Sequence, residues 1–218
     1  MKKRLVIALA LLALLSTYKP QRLFSLSNFN LEKIIIENNN IIKDKNIKKK
    51  LTFLYDKNLI FLNNNDIVIT LKEIDFIESF EIKKIYPNKL KIKIFEKDPI
   101  AILQNKKKKF YVSENIDLIN YKFIQDYKNL PIVFGDIDNF EIFFKNLKKI
   151  NFPLELIKKY YFYESKRWDM EIEDKIIIKL PPKNYTKSLE NFMNLRSNNN
   201  FDKYKVFDYR INNQLILK

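Results

Sequence analysis

Apolar and charged positions alternate through Ser79 to Ile94: Phe80 and Ile82 stand between charged or polar neighbours, Tyr86-Pro87-Asn88-Lys89 interrupts, and Leu90, Ile92 and Ile94 resume against Lys91 and Lys93. A period of two on both sides of a proline-containing break predicts a β-hairpin with one apolar face. Upstream, Phe29 to Glu37 is a β-branched run closed by Asn38-Asn39-Asn40, a strand and then a turn. The period then lengthens. Behind Asp44 as N-cap, Ile47, Leu51 and Leu54 recur at i, i+4 and i+7, and behind Asn65 as N-cap, Ile67, Leu71 and Ile74 repeat the spacing, so two amphipathic helices are expected. The order is strand, helix, helix, strand, strand. Two such helices laid on one face of a three-stranded sheet bury every apolar face of about 70 residues.

From Phe110 the pattern turns to short strands: Phe110 to Val112, a turn at Ser113-Glu114-Asn115, Ile116 to Ile119, and Leu130 to the single glycine, Gly135. Asp138 is placed to cap a helix whose Phe140, Phe144 and Leu147 share a face. Beyond Pro153, Tyr160 to Tyr163, Trp168 to Glu173 and Ile176 to Leu180 read as an antiparallel meander. Strict alternation puts Trp168, Met170 and Ile172 on a core face, and Glu171 with Glu173 on the other. A helix over Tyr185 to Arg196 follows, then Val206 to Arg210, a turn at Ile211-Asn212-Asn213 and a terminal strand, Gln214 to Leu217. Residues 102–109 read as the continuation or joint between two units.

The N-terminus is Met-Lys-Lys-Arg, an uncharged run from Leu5 to Tyr18, then Lys19-Pro20-Gln21-Arg22. Fourteen helical residues rise only about 21 Å against a hydrocarbon core of about 30 Å, so Lys19 and Arg22 must snorkel for residues 5–22 to span. Ser16 to Pro20 offers no small-residue cleavage site, which favours a retained signal anchor over a secretory signal peptide. Lys2, Lys3 and Arg4 then stay cytoplasmic as residues 1–4, with the bulk of the chain outside.

The residue inventory narrows the chemistry. No cysteine and no histidine are present, which removes thiolate nucleophiles, Ser-His-Asp triads and the commonest metal ligands, and one glycine cannot build a phosphate loop. No catalytic residue, cofactor or metal is therefore expected. The net charge of +15 raises nucleic acid as a partner, yet only five of the 41 basic residues are arginine and the lysines are spread over both halves. This points to a lysine-rich composition with no nucleic-acid face, and Lys106 to Lys109 read as a solvated loop. Glu171, Glu173 and Asp174 leave a carboxylate-based periplasmic hydrolase as an alternative reading.

Five stretches, in order, resemble the bacterial cell-division family FtsQ (DivIB): Tyr86-Pro87; Glu96-Lys97-Asp98-Pro99-Ile100-Ala101; Leu130-Pro131 through Gly135; Arg167-Trp168-Asp169-Met170-Glu171-Ile172; and Phe207-Asp208-Tyr209-Arg210. Lys97 replaces the family's usual arginine, Asp174 stands where glycine is frequent, and the four-residue cytoplasmic tail is short. The resemblance implies an α+β protein with an N-terminal transmembrane helix, a β-α-α-β-β POTRA domain over residues 29–101, and a β-rich domain over residues 104–218 with a mainly antiparallel sheet and flanking helices. It implies a non-enzymatic, single-pass inner-membrane connector at the division septum, its bulk periplasmic, that binds FtsB- and FtsL-type membrane-anchored coiled-coil proteins and links early to late division proteins. A POTRA-bearing outer-membrane assembly or secretion component is the other alternative, although the second half lacks the roughly ten-residue alternating strands of a membrane barrel. Family usage places partner docking at the C-terminal strand, by strand addition along Ile211, Asn213, Gln214, Leu215, Ile216 and Leu217, with Arg167 to pair with an acidic partner residue. A proline at Ile216 would remove a ladder donor from that edge, provided that the N–H faces outwards.

Overall fold

Hydrophobic periodicity resolves into two compact units, Met1–Glu96 and Lys97–Lys218, in a computed structural model that describes residues 2–17, 26–106, 108–197, 203–211 and 214–218. The first unit carries α1 (Lys2–Thr17), β1 (Lys33–Glu37), α2 (Asp44–Lys50), α3 (Asn65–Lys72), β2 (Ile77–Ile85) and β3 (Lys89–Glu96). Its sheet has the order β1-β3-β2, with β1 parallel and β2 antiparallel to the central β3. The expected alternation is realised on β3, where Leu90, Ile92 and Ile94 are fully buried together with Ile47, Leu51, Leu54, Ile67 and Leu71 of the helical segment. The first helix is shorter than its apolar stripe. It ends at Lys50, and Leu51 and Leu54 reach the core from a 3-10 turn over Thr52–Leu54.

Both expected caps shift by one residue. Lys43 and Asn64 hold the cap positions, while Asp44 and Asn65 open the helices. The Asp44 carboxylate is occupied by Asn39 Nδ2 at 2.7 Å and Lys48 Nζ at 3.1 Å, which hold it below its ordinary pKa. Glu96, at the end of β3, accepts from three successive backbone N–H groups, Asn40, Ile41 and Ile42, at 2.7–3.0 Å, and so ties the loop after β1 to the opposite end of the unit's chain.

The second unit is a nine-stranded sheet built from β4 (Pro99–Asn105), β5 (Lys108–Ser113), β6 (Leu118–Asn120), β7 (Ile132–Phe134), β8 (Ile157–Phe162), β9 (Trp168–Ile172), β10 (Ile177–Lys179), β11 (Val206–Asp208) and β12 (Ile216–Leu217), with α4 (Ile137–Lys149) after β7 and α5 (Tyr185–Arg196) after β10. The strand order is β12-β11-β10-β9-β8-β7-β4-β5-β6. Five of the eight junctions are antiparallel. The other three, β4–β7, β7–β8 and β10–β11, are parallel, two of them because a helix carries the chain back over the sheet. Of the stretch read as a continuation or joint, residues 102–105 and 108–109 lie in β4 and β5, inside the second unit, and Pro99 to Ala101 enter the same sheet, so the Glu96-to-Ala101 motif straddles the boundary in the chain.

Phe140, Phe143, Phe144 and Leu147 of α4 are buried with Leu189 and Phe192 of α5 on one face of this sheet, and Phe143 stacks on Trp168 with ring centroids 4.8 Å apart. Trp168, Met170 and Ile172 share that core as expected. The α4 cap is Asp136, accepting from Asn139 N–H at 3.0 Å, and Asp138 lies inside the first turn. Gly135 closes β7 where a Cβ would stand 2.8 Å from Phe162 Cβ, so the lone glycine serves a close approach.

Among the described residues no helix is long and apolar enough to cross a membrane. The 16 residues of α1 rise about 24 Å, and residues 18–22 of the expected anchor lie outside the described residues.

Candidate docking edge and the face beside it

The terminal strand β12 is one end of the nine-stranded sheet and, among the described residues, pairs only with β11. Val206 and Lys218 exchange both backbone hydrogen bonds, at 3.0 and 3.1 Å. In an antiparallel ladder such pairs alternate with unbonded ones, so Ile216 faces Asp208 in the next bonded pair, while the N–H and C=O of Leu217 point away from β11. The outward donor therefore belongs to Leu217, and the Ile216 N–H is turned inward: a proline at Ile216 would break the protein's own ladder. Leu215 and Leu217 are half-buried against the core, whereas Ile216 projects from the other face, 38% exposed. Gln214 N–H donates to Ile211 C=O at 3.2 Å, and Ile211 itself is exposed. Asn213 lies outside the described residues.

The face opposite the helices carries a row that register alone defines. Phe134, Tyr161, Asp169, Lys179, Asp208 and Ile216 are successive cross-strand neighbours from β7 to β12. Phe134 and Tyr161 stack at 5.1 Å. Two carboxylates follow, both buried: Asp169 at 3% and Asp208 at 6% exposure. A buried carboxylate needs a partner. Each has an arginine two residues along the same strand face. Arg210 grips Asp208 through Nε at 2.9 and 3.1 Å and Nη2 at 2.6 Å, and its backbone N–H adds a bond at 3.1 Å. Arg167 meets Asp169 more loosely, at 3.4 and 3.5 Å, with its guanidinium 4.2 Å above the Tyr163 ring.

The titration follows the geometry. Hydrogen bonds from Arg210 hold Asp208 below the usual carboxylate range, and Asp208 in turn raises Arg210. Burial pushes Asp169 up, opposed by Arg167 and by Lys179. Arg167 thus sits where expected, beside the Trp168 strand, but it is already committed to Asp169. Sequence reading missed Asp169, Asp208 and Arg210 as a charged cluster. The legible signal was an opposite-charge pair at i and i+2, Arg167-Trp168-Asp169 and Asp208-Tyr209-Arg210, because that spacing puts both charges on one strand face.

The carboxylates considered for hydrolysis are not brought together. The strand ends at Ile172, so Glu173 leaves the face that Glu171 occupies and pairs with Lys158 at 3.2 Å. Glu171 accepts from the Tyr161 hydroxyl at 3.3 Å and from Lys159 at 2.9 Å, and the bond from Lys159 to this carboxylate raises the Lys159 pKa. Asp174 takes a left-handed conformation, φ 56°, which explains an aspartate where glycine is frequent. Lys97 pairs with Asp117 at 2.9 Å.

The family model described as "POTRA domain, FtsQ-type" matches residues 29–97. The cell division protein FtsQ of Rickettsia typhi is 30% identical over 194 residues, covering 87% of this chain and 73% of that protein. The FtsQ of Rickettsia prowazekii is 29% identical over 194 residues, covering 87% of this chain and 72% of its own length. Among solved structures, the major extracytoplasmic domain of the trans isomer of the division protein DivIB from Geobacillus stearothermophilus is similar at 15% identity and a TM-score of 0.33, covering 47% of this chain and 93% of that one.

Proposed function

The chain belongs to the FtsQ (DivIB) family of cell division proteins, and on that premise we propose that it is a bitopic, non-enzymatic connector of the division machinery, anchored in the inner membrane by residues 5–22, with its bulk periplasmic at the septum. Its chemistry is recognition. A segment of an FtsB-type membrane-anchored coiled-coil protein, itself associated with an FtsL-type one, adds as a strand beside β12. The observation that carries this reading is the outward-facing Leu217 N–H and C=O at the end of the sheet, groups without a partner among the described residues and of the kind that strand addition satisfies. Ile216 on the polar face and Leu215 with Leu217 on the core side give such a strand apolar neighbours on both faces. Arg167 and Arg210 lie on the adjoining face, each fixed by a buried carboxylate, and present cations to an acidic partner residue.

The test is Leu217→Pro in the detergent-solubilised full chain. It deletes the outward donor and leaves both Val206–Lys218 bonds in place. One lost ladder bond and a ring in the path of the incoming strand should weaken calorimetric binding of the FtsB-type segment by about ten-fold, with the unfolding midpoint lowered only by the loss of one half-buried leucine side chain. Full affinity from a folded Leu217→Pro protein sinks the edge as the docking site.

A further inference from the structure

At the Gln214 end of β12 the sheet edge opens into a groove of about 560 Å³, walled by the start of α5 on one side and by the chain leading into β12 on the other. It is shared with the docking edge, because Ile211, Gln214 and Leu215 line both. Its charge is one-sided: Lys183 and Lys187 are among its lining residues and no carboxylate is. Among the described residues neither Lys183 nor Lys187 stands in an ion pair, in common with most lysines of this unit, so both cations are available to a ligand. The groove also contains Tyr209, only 7% exposed, whose hydroxyl donates to Asn191 Oδ1 at 3.0 Å; burial pushes that hydroxyl's pKa up, so it stays uncharged. Ser188 and Gln214 add neutral hydrogen-bonding groups. A volume of this size holds several side chains.

Resting on the strand-addition reading, we propose that this groove receives an acidic stretch that follows the partner's added strand. The added strand is taken as antiparallel to β12, the orientation that β12 itself adopts on β11. A strand added antiparallel to β12 begins beside Lys218 and leaves beside Gln214, so the segment delivered to the groove is the one C-terminal to the strand. Its carboxylates meet Lys183 and Lys187 as exposed pairs, weak singly and sensitive to salt. The groove therefore sets partner selection and the salt dependence of binding, while the ladder supplies the register.

The experiment uses two synthetic peptides, each carrying the FtsB-type strand, one continued by four glutamates and the other by four glutamines. Fluorescence anisotropy is read against the full chain in detergent and against its Lys183→Gln/Lys187→Gln variant, whose substitutions are at exposed positions and should leave the circular dichroism unchanged. The glutamate peptide should bind the unmodified chain about five- to ten-fold more tightly at low salt. That advantage should vanish in the double variant and in about 0.5 M salt. Equal affinity of the two peptides for the unmodified chain overturns the groove, as does an advantage that survives the double substitution. If neither peptide binds, or if Leu217→Pro leaves both affinities intact, strand addition itself is what fails.

Discussion

Glu96 is the sharpest test of how the first unit is held together. Its carboxylate accepts four contacts from the N–H groups of Asn40, Ile41 and Ile42, linking the loop after β1 to the last residue of β3, more than 50 positions away in sequence. Hydrogen bonds to a charged group are worth about 1.5–3 kcal/mol each. Asn40 is exposed and finds water when the carboxylate is lost, which leaves Ile41 and the buried Ile42 as the N–H groups that suffer. Glu96→Ala should therefore cost about 2–4 kcal/mol. A unit of this size has a stability of only about 3–10 kcal/mol, so the loss is a large share. Glu96→Gln should recover part of the loss, because its remaining carbonyl oxygen can still accept from Ile41 and Ile42 while its amide group, a donor, faces exposed Asn40. The readout is amide exchange at Asn40, Ile41 and Ile42 in the full chain, since two units need not unfold together and a single melting point would blur them. Faster exchange at these amides, with a first thermal transition lowered by at least about 10 °C, is expected. A variant within about 0.5 kcal/mol of the parent, with protection intact, refutes the argument.

Three further outcomes are expected. Gly135→Ala places a methyl 2.8 Å from Phe162 Cβ and should cost about 1–3 kcal/mol, measured by denaturant unfolding of the second unit; an unchanged midpoint would show that β8 yields freely. Asp208 and Asp169 should respond oppositely to pH. The Asp208 pKa is lowered, so its ionised form stabilises the fold at neutral pH and that advantage over Asp208→Asn fades as pH falls below about 4. The Asp169 pKa is raised, so its contribution is fullest below about 4 and declines as pH rises through the shifted value, and Asp169→Asn should gain on the parent over that rise; parallel pH profiles for the two variants would contradict the electrostatics. If residues 5–22 are a retained anchor, mass spectrometry of membrane-extracted protein should find residues 1–22 still attached, and a mature form beginning near Tyr18 would exclude it.

Local periodicity was enough to place most elements, because burying one face of a strand or helix leaves a repeat of two or of three to four in the chain itself. The hairpin around Tyr86-Pro87, the buried Trp168, Met170 and Ile172, and the helix Tyr185–Arg196 were legible in that way. Glu96 was visible as the first residue of a family-like stretch, but its three backbone donors were not. What periodicity does not encode is which strands become neighbours. The parallel β4–β7 pairing, the single nine-stranded sheet that takes in the stretch read as a continuation or joint, and the position of β12 at the sheet's end depend on contacts between segments far apart in sequence. The same holds at the docking edge. That Leu217 and not Ile216 points its N–H outward is a property of the register with β11, and a one-residue slip would reverse it. Arg167 was named through the family resemblance, beside a core tryptophan, but its commitment to Asp169, and the row that joins Asp169, Lys179 and Asp208, exist only where three strands align. Low dielectric then decides the charges: a carboxylate withdrawn from water has to be matched by whatever the neighbouring strand brings to it, and only the tertiary structure says what that is.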